Sequence, residues 1–354
     1  MHFLPKHPGA HCRPKWLALS LAVLGSASLA STPARAQTQD LFVADGVNLI
    51  RYAGTGSGTF STSGTIITDP NLSNPIGLAF DPYGNLFVTG FATGSKNIIE
   101  FAAGSTPGTF APSKIVMGSL AGSYMVFDAQ GDLFRSGGNF VIESMAGATP
   151  GTFGATKTIT APGLISLRGL AFDSRGDLFA ADVFGNSITE FMVGPTPGTF
   201  GATKTITDPL LNLTEGLTFD AQDNLFATNR GNSSLLEFAA GATPGTFGAA
   251  TVLNSFLPYP NSLAFDAQGD LFVSAAGFSN GKGSITKFFG GRSSLGAVVE
   301  SGLVGPTSIA FGPSAPPAVP EASTTVSFGL LLALGLGGLA IAAKRKKTMG
   351  KASA

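Results

Sequence analysis

"LAFDPYGNLFV" occupies residues 78–88, and near copies follow as "MVFDAQGDLFR" (125–135), "LAFDSRGDLFA" (170–180), "LTFDAQDNLFA" (217–227) and "LAFDAQGDLFV" (263–273). The first phenylalanine of each copy is Phe80, Phe127, Phe172, Phe219 or Phe265, and a lone "IAF" adds Phe311, so the steps are 47, 45, 47, 46 and 46 residues. Recurrence at this period marks a repeat architecture in which each copy is one supersecondary unit. A further "LF" at Leu41–Phe42 has no "AFD" before it, and the final "IAF" has no "LF" after it. The two ends carry complementary halves of one unit.

Each unit reads as four short strands, here called a to d. In the copy that starts at Gly77 they are "GLAFD", "NLFVT", "NIIEFAA" and "SKIVM". Runs such as L-A-F and L-F-V are apolar on both faces, as expected of a sheet sandwiched between neighbours. The "FDxxGD" link is a hairpin whose glycine takes positive φ. The "TPGT" between c and d suits a type II turn, with Pro fixing φ at the second position and Gly accepting positive φ at the third. Four-stranded units of this length, arranged radially, make a β-propeller. Six copies predict an all-β, six-bladed propeller over 37–312. Strand a of the closing blade comes from Ser308–Phe311 and its strands b to d from Leu41–Thr68. Such closure removes the free sheet edges that invite aggregation. A β-solenoid, the other repeat fold to weigh, has no use for complementary ends. The phrases "LFVADGVNLIRY" (41–52) and "LFAADVFGNSITEF" (178–191) resemble the blades of NHL-type propellers. That resemblance implies an architecture and no particular activity, because the fold hosts many functions.

Composition agrees with a turn-rich β protein. Charged residues are 12% of the chain, about half the usual share, while 48 Gly and 22 Pro supply turns and 29 Phe supply core. Charge is unevenly placed. Residues 1–36 carry four basic side chains and no acids, 344–351 carry five more, and 37–320 holds 12 basic against 20 acidic residues, a net of −8. A body of that sign repels a phosphate backbone, which argues against nucleic acid as a partner.

The ends read as addresses. Residues 1–36 show a basic start, the apolar run "WLALSLAVLGSASLA" (16–30) and "STPARA", the pattern of a secretory signal peptide with Ala34 and Ala36 flanking the cleavage site. Cleavage there removes Cys12, the only cysteine, and all three histidines, His2, His7 and His11. The mature chain then lacks the groups needed for most zinc sites, a Ser-His-Asp triad or a cysteine nucleophile. At the other end, a Pro-rich linker (313–318) precedes residues 319–347, where "VPEAS", an apolar run from Thr324 to Ala343 and "KRKK" follow one another, with a tail at 348–354. The run is long enough to span a bilayer, and the basic cluster predicts a cytoplasmic tail. This order resembles the PEP-CTERM sorting signal of Gram-negative bacteria. Pro320 and Glu321 match its motif, and Ala322 stands where that family has a second proline. The resemblance implies passage across the inner membrane and anchoring through the C-terminal helix. It also implies an exosortase-type processing enzyme as partner, and a final location at the cell surface or outside the cell.

Loop order decides where function is sought. The a–b and c–d hairpins leave one end of a propeller, and the d–a and b–c loops the other, where the central channel opens. "TPGTFGATKTIT" stands at 149–160 and again at 196–207, with looser copies at 106–116, 243–253 and 56–66, and is read as scaffold. The acids Asp81, Asp128, Asp173, Asp220 and Asp266 share that end. They lack EF-hand spacing, and turn initiation is the expected role. At the channel mouth two columns differ between repeats. Four residues before each strand-a Phe stand Ile76, Ser123, Arg168, Glu215, Asn261 and Thr307; three after each strand-b Phe stand Gly90, Gly137, Asp182, Asn229, Ala275 and Asp45. Their polar members, Asp45, Arg168, Asp182, Glu215, Asn229, Asn261 and Thr307, form the candidate ligand site, with a polar side and an apolar side.

Three functional readings follow. The first is a non-enzymatic binding or scaffold protein, with Arg168 paired to Asp182 inside one blade and an exopolysaccharide or envelope protein as partner. The polysaccharide comes from the sorting-signal resemblance. The second places Ca²⁺ or Mg²⁺ on Asp182, Glu215, Asn229 and Asn261. "EGLTF" (215–219) and "PNSLAF" (260–265) look like the metal-ligand contexts of gluconolactonase-type propellers, which implies a metal-dependent lactonase. The third is a purely structural matrix component. Streptogramin lyases share a similar repeat, but their catalytic histidine has no counterpart after residue 11.

Overall fold

The computed structural model describes residues 39–313, apart from positions 57, 93–94, 106–107, 119–123, 197, 278–281 and 293–294. The signal peptide with Ala34 and Ala36, the sorting motif with Pro320 and Glu321 and the apolar run after it all lie outside the described residues, as does Ser123. Among the described residues no helix is long and apolar enough to cross a membrane.

Six antiparallel four-stranded sheets form the blades. Blade 1 is the split one: its strand a, Ser308–Phe311, pairs with strand b, Leu41–Ala44, in the register Leu41↔Phe311 to Ala44↔Ser308. Leu49–Tyr52 and Thr65–Ile67 complete it as strands c and d. The other blades follow in chain order, each in the sequence a-b-c-d. Their strands a are Ser73–Phe80, Met125–Phe127, Leu167–Phe172, Thr214–Phe219 and Pro260–Phe265. The split closure predicted from the half-repeats is the one observed.

The core is six hydrophobic clusters, one at each junction between neighbouring blades. The dipeptide "LF" of strand b explains why. Successive strand residues point to opposite faces, so the leucine enters the junction with the preceding blade and the phenylalanine the junction with the next. Leu178 lies in the cluster shared with blade 3, whereas Phe179 lies in that shared with blade 5. Each strand-b Phe then meets the strand-a Phe of the following blade. The pairs are Phe42–Phe80, Phe87–Phe127, Phe134–Phe172, Phe179–Phe219, Phe226–Phe265 and Phe272–Phe311, with ring centroids 4.8–5.3 Å apart. Most are edge-to-face, a geometry that contributes ~0.5–1.5 kcal/mol per pair beyond area burial.

"TPGTF" supplies a third ring. Phe110, Phe153, Phe200, Phe247 and Phe60 each pack at 5.5–5.8 Å on the strand-b Phe of the preceding blade. The turn before it is of type II: Thr152 N–H donates to the Thr149 carbonyl, and Gly151 between them has φ +73°. The lysine of the same motif reaches the next copy. Lys157 Nζ donates to the Gly198 carbonyl (3.1 Å), and Lys204 Nζ to the Gly245 carbonyl (2.8 Å). The exact repeat is therefore a latch whose two halves recognise each other across a blade junction. Blade 6 lacks "TPGTF", and there Arg292 reaches Glu237 of blade 5 instead (2.7 Å).

The "FDxxGD" acids initiate turns as expected. In all five, the first aspartate accepts from the backbone N–H two and four residues on, as Asp81 does from Tyr83 and Asn85. Beside them, strand c buries Glu100, Glu143 and Glu190. Burial pushes the carboxyl pKa of Glu143, Glu190 and Asp266 upward, against the pull of nearby lysine or arginine.

Two predictions follow from this packing. Phe179→Ala is expected to cost about 3–5 kcal/mol in denaturant unfolding, while Phe184→Ala, at a side chain on an exposed loop, stays within about 0.5 kcal/mol. Because the folded state holds protons on Glu143, Glu190 and Asp266 more tightly than the unfolded chain, stability falls as pH rises from the ordinary carboxylate range through the raised values. The denaturant midpoint is expected to be higher at pH 5 than at pH 7, with a smaller difference in Glu143→Gln/Glu190→Gln.

Candidate functional site

The six strands a stand around the axis and line a narrow central channel of about 100 Å³. The residue facing it is Gly77, Tyr124, Gly169, Gly216, Ser262 or Ser308. Small residues are required because the strands converge. A Cβ at Gly169 would strike the Glu215 carbonyl, and one at Gly216 the Asn261 carbonyl. Tyr124 is the exception: it lines the channel, and its hydroxyl reaches Glu215.

Just above this column strand a bulges. Leu167 pairs with Asp182 and Leu170 with Ala180, so three steps on strand a match two on strand b; the same shift occurs between Thr214 and Leu217 and between Pro260 and Leu263. Bulges re-aim side chains. Here they turn Arg168, Glu215 and Asn261 toward the channel end formed by the d–a and b–c loops. Those loops are tied in pairs, Val183 N–H to the Ser166 carbonyl, Arg230 to Leu213 and Ala276 to Tyr259.

The seven candidate residues divide into two groups. Five hold the frame. Asp182 accepts from the N–H of Ile165, Ser166 and Gly185. Asp45 accepts from Val47 and Asn48. Asn229 accepts from Asn212 N–H and Thr214 Oγ1 and donates to the Leu210 carbonyl. Asn261 Nδ2 donates to the Pro306 carbonyl, and Thr307 Oγ1 to the Ile76 carbonyl, each stitching one blade to the next. Where blades 2 and 3 have Gly90 and Gly137, a Cβ would strike Leu72 or the Phe140 ring. The glycines are imposed by loop packing.

The other two form a charged cluster. Glu215, only 1% exposed, receives Arg168 Nη1 at 3.1 Å and the Tyr124 hydroxyl at 3.0 Å on one oxygen, and faces Arg230 Nη1 at 3.5 Å on the other. The expected Arg168–Asp182 pair is therefore replaced by a pair across blades. The bulge aims Arg168 forward, and backbone amides already occupy the Asp182 carboxylate. Burial works against the charge of Arg168, but Glu215 and Tyr124 outweigh it and raise its pKa. Burial and then the Glu215 charge raise the Tyr124 pKa, keeping it a neutral donor. Burial and then the charge of Arg168 lower that of Lys96.

Lys96, Tyr124 and Arg230 were not among the candidates. Tyr124 had a signal, since it is the one large residue in a column otherwise Gly or Ser. Lys96, in strand c of blade 2, and Arg230, in a b–c turn, lie at positions that the two compared columns do not include. Tyr259 joins them: its ring lies 5.5 Å from the Arg230 guanidinium, and its backbone takes φ +52°. Leu213, two residues before Glu215, has φ +50°. Bulky side chains in this left-handed region are strained and collect at functional sites.

The donor set does not fit a divalent cation. Glu215 faces guanidinium groups through both oxygens, and the Asp182 carboxylate and Asn229 amide oxygen already accept protein donors. Among the described residues no group of three or more acids, His or Cys could hold a metal.

No protein-family model matches the chain, and no curated protein sequence does. Solved structures do share its fold. A chain of the nidogen/laminin complex superposes with TM-score 0.60 at 19% identity, over 79% of this chain and 100% of that one. A protein from Lactobacillus plantarum gives 0.55 at 13% identity, over 78% and 100%. The periplasmic gluconolactonase of Pseudomonas aeruginosa gives 0.54 at 16% identity, again over 78% and 100%. These likenesses establish the propeller fold. At such identities they carry no site residue across.

The hydroxyl of Tyr124 is expected to contribute about 1 kcal/mol. Tyr124→Phe should lower the denaturant midpoint accordingly, and in a Glu215→Gln background the same change should cost less.

Proposed function

We propose that this protein is an exported, non-enzymatic binding propeller that presents its channel mouth to an extracellular partner. The observation that carries the reading is the use of the mouth's polar groups. Five of the seven candidate side chains are committed to backbone groups or blade stitches, and the remaining carboxylate is neutralised by arginine. Among the described mouth residues that leaves no open set of oxygens for a metal. The propeller region, 37–312, contains neither His nor Cys. What remains is a rigid rim with exposed cations and aromatic side chains, which is the equipment of recognition. Export, anchoring and exosortase processing belong to the same proposal and rest on the sequences at 1–36 and 319–347. An exopolysaccharide as partner rests on the sorting-signal resemblance.

The lactonase reading draws on the "EGLTF" context and on the shared fold with a gluconolactonase. The arginines on Glu215 oppose it, since a bound cation and two guanidinium groups repel one another.

Thermal melts of the full-length chain in detergent, after chelation and with Ca²⁺ or Mg²⁺ added back, are expected to coincide, and aldonolactones to remain unhydrolysed. A ligand that binds only the native state raises stability by mass action. A metal-dependent rise that disappears in Glu215→Ala/Asn261→Ala, accompanied by lactone turnover, would replace the binding reading with the hydrolase.

A further inference from the structure

The geometry points to an anion site at the channel mouth, built by Arg168 and Arg230 around buried Glu215 and walled by Tyr259, whose ligand is a carboxylate-bearing sugar unit of an acidic polysaccharide. This inference rests on the binding reading above and names its ligand class.

Charge placement is the first support. The region 37–320 is acidic overall, at −8. On the opposite end Arg51, Lys114, Arg175, Lys287 and Arg292 each sit on a carboxylate. At the mouth Asp45 and Asp182 are buried and turned to backbone amides, and the half-buried Asp69 and Asp208 of the same loops accept from protein donors, whereas Arg168 and Arg230 keep exposed surface. Glu215, almost without exposed surface, fixes Arg168 and Arg230 from below, while their side chains remain 37% and 45% exposed. A guanidinium offers five N–H donors in a planar fork, so each arginine keeps donors to direct outward. Two pre-positioned guanidinium groups suit a carboxylate, which they can bind in bidentate fashion.

Shape is the second support. The rim is aromatic as well as basic. Tyr259 packs under Arg230 in a strained backbone conformation, and Phe184 and Phe256, on loops of the same end, are 62% and 87% exposed. Flat apolar faces beside cations fit a pyranose ring bearing a carboxylate better than a compact inorganic anion. A ring face buries against an aromatic side chain while the acid meets arginine.

Titration calorimetry on the full-length chain in detergent, at low and at physiological salt, tests this with three probes: an oligogalacturonate, a neutral malto-oligosaccharide of the same length and inorganic polyphosphate. The oligogalacturonate is expected to bind, more weakly at the higher salt. Arg230→Gln should weaken it on the order of tenfold, as loss of a charge-assisted hydrogen bond does. Glu215→Gln, which removes the competing carboxylate and keeps a hydrogen-bond acceptor for Tyr124, should tighten it several-fold. Melts of each variant separate lost binding from lost folding, and Arg230→Gln, on the exposed rim, carries the test if Glu215→Gln does not fold. Equal binding of the neutral oligosaccharide, indifferent to Arg230→Gln, would overturn the anion site and leave a binding protein standing. Equal binding of polyphosphate would overturn the sugar assignment. Binding of none of the three would overturn the inference outright. Failure of the binding reading itself has a different signature, metal-dependent lactone turnover.

Discussion

Everything in this molecule depends on one contact repeated around a ring: the strand-b phenylalanine of one blade against the strand-a phenylalanine of the next. Six such pairs close the circle. A blade alone is a four-stranded sheet with two apolar faces and cannot bury either. The pair Phe272–Phe311 is therefore as necessary as the others, and it forms only because the last described strand, Ser308–Phe311, returns to the first, Leu41–Ala44. Ring closure couples the two ends of the propeller region to the core.

That frame explains why one end of the propeller repeats and the other varies. The "TPGTF" turns must fit both their own blade and the next, through a phenylalanine and a lysine, so a change in one copy is felt by its neighbour. The opposite end carries no such shared template. Its loops are fixed one by one, by Asp182 in blade 4, Asn229 in blade 5 and a bare glycine where a loop residue fills the space. Individual fixation frees the exposed positions between the fixing groups to differ, and there the basic and aromatic rim appears.

The rim is held by an arrangement that a fold-level likeness does not transmit. Glu215 stands in a sequence context, "EGLTF", that resembles a metal-ligand context of gluconolactonase-type propellers, yet Arg168, Arg230 and Tyr124 surround it. A carboxylate held by two guanidinium groups orients cations, whereas a carboxylate with free lone pairs binds one. Neighbours determine which of these roles a glutamate at the same repeat position performs.

The sequence by itself determined the blade number, the strand order and the split closure. Those follow from a two-residue alternation and a fixed period, both local properties that survive without coordinates. It also separated the repeated scaffold end from the variable end, and it placed Arg168 and Glu215 at the mouth. Only the tertiary structure decided which of the mouth residues face solvent and which hold loops. Asp182 and Asn229 are as polar as Arg168, but hydrogen bonds to amides and carbonyls distant in sequence turn them inward. It also decided that Arg168 crosses to blade 5 rather than pairing within blade 4, because strand bulges aim side chains in directions that an alternating pattern does not encode. Tyr124 reaches the same cluster from blade 3, on the side read as apolar. The reason is geometric: at the axis of a propeller six strands converge, so residues from opposite blades become neighbours.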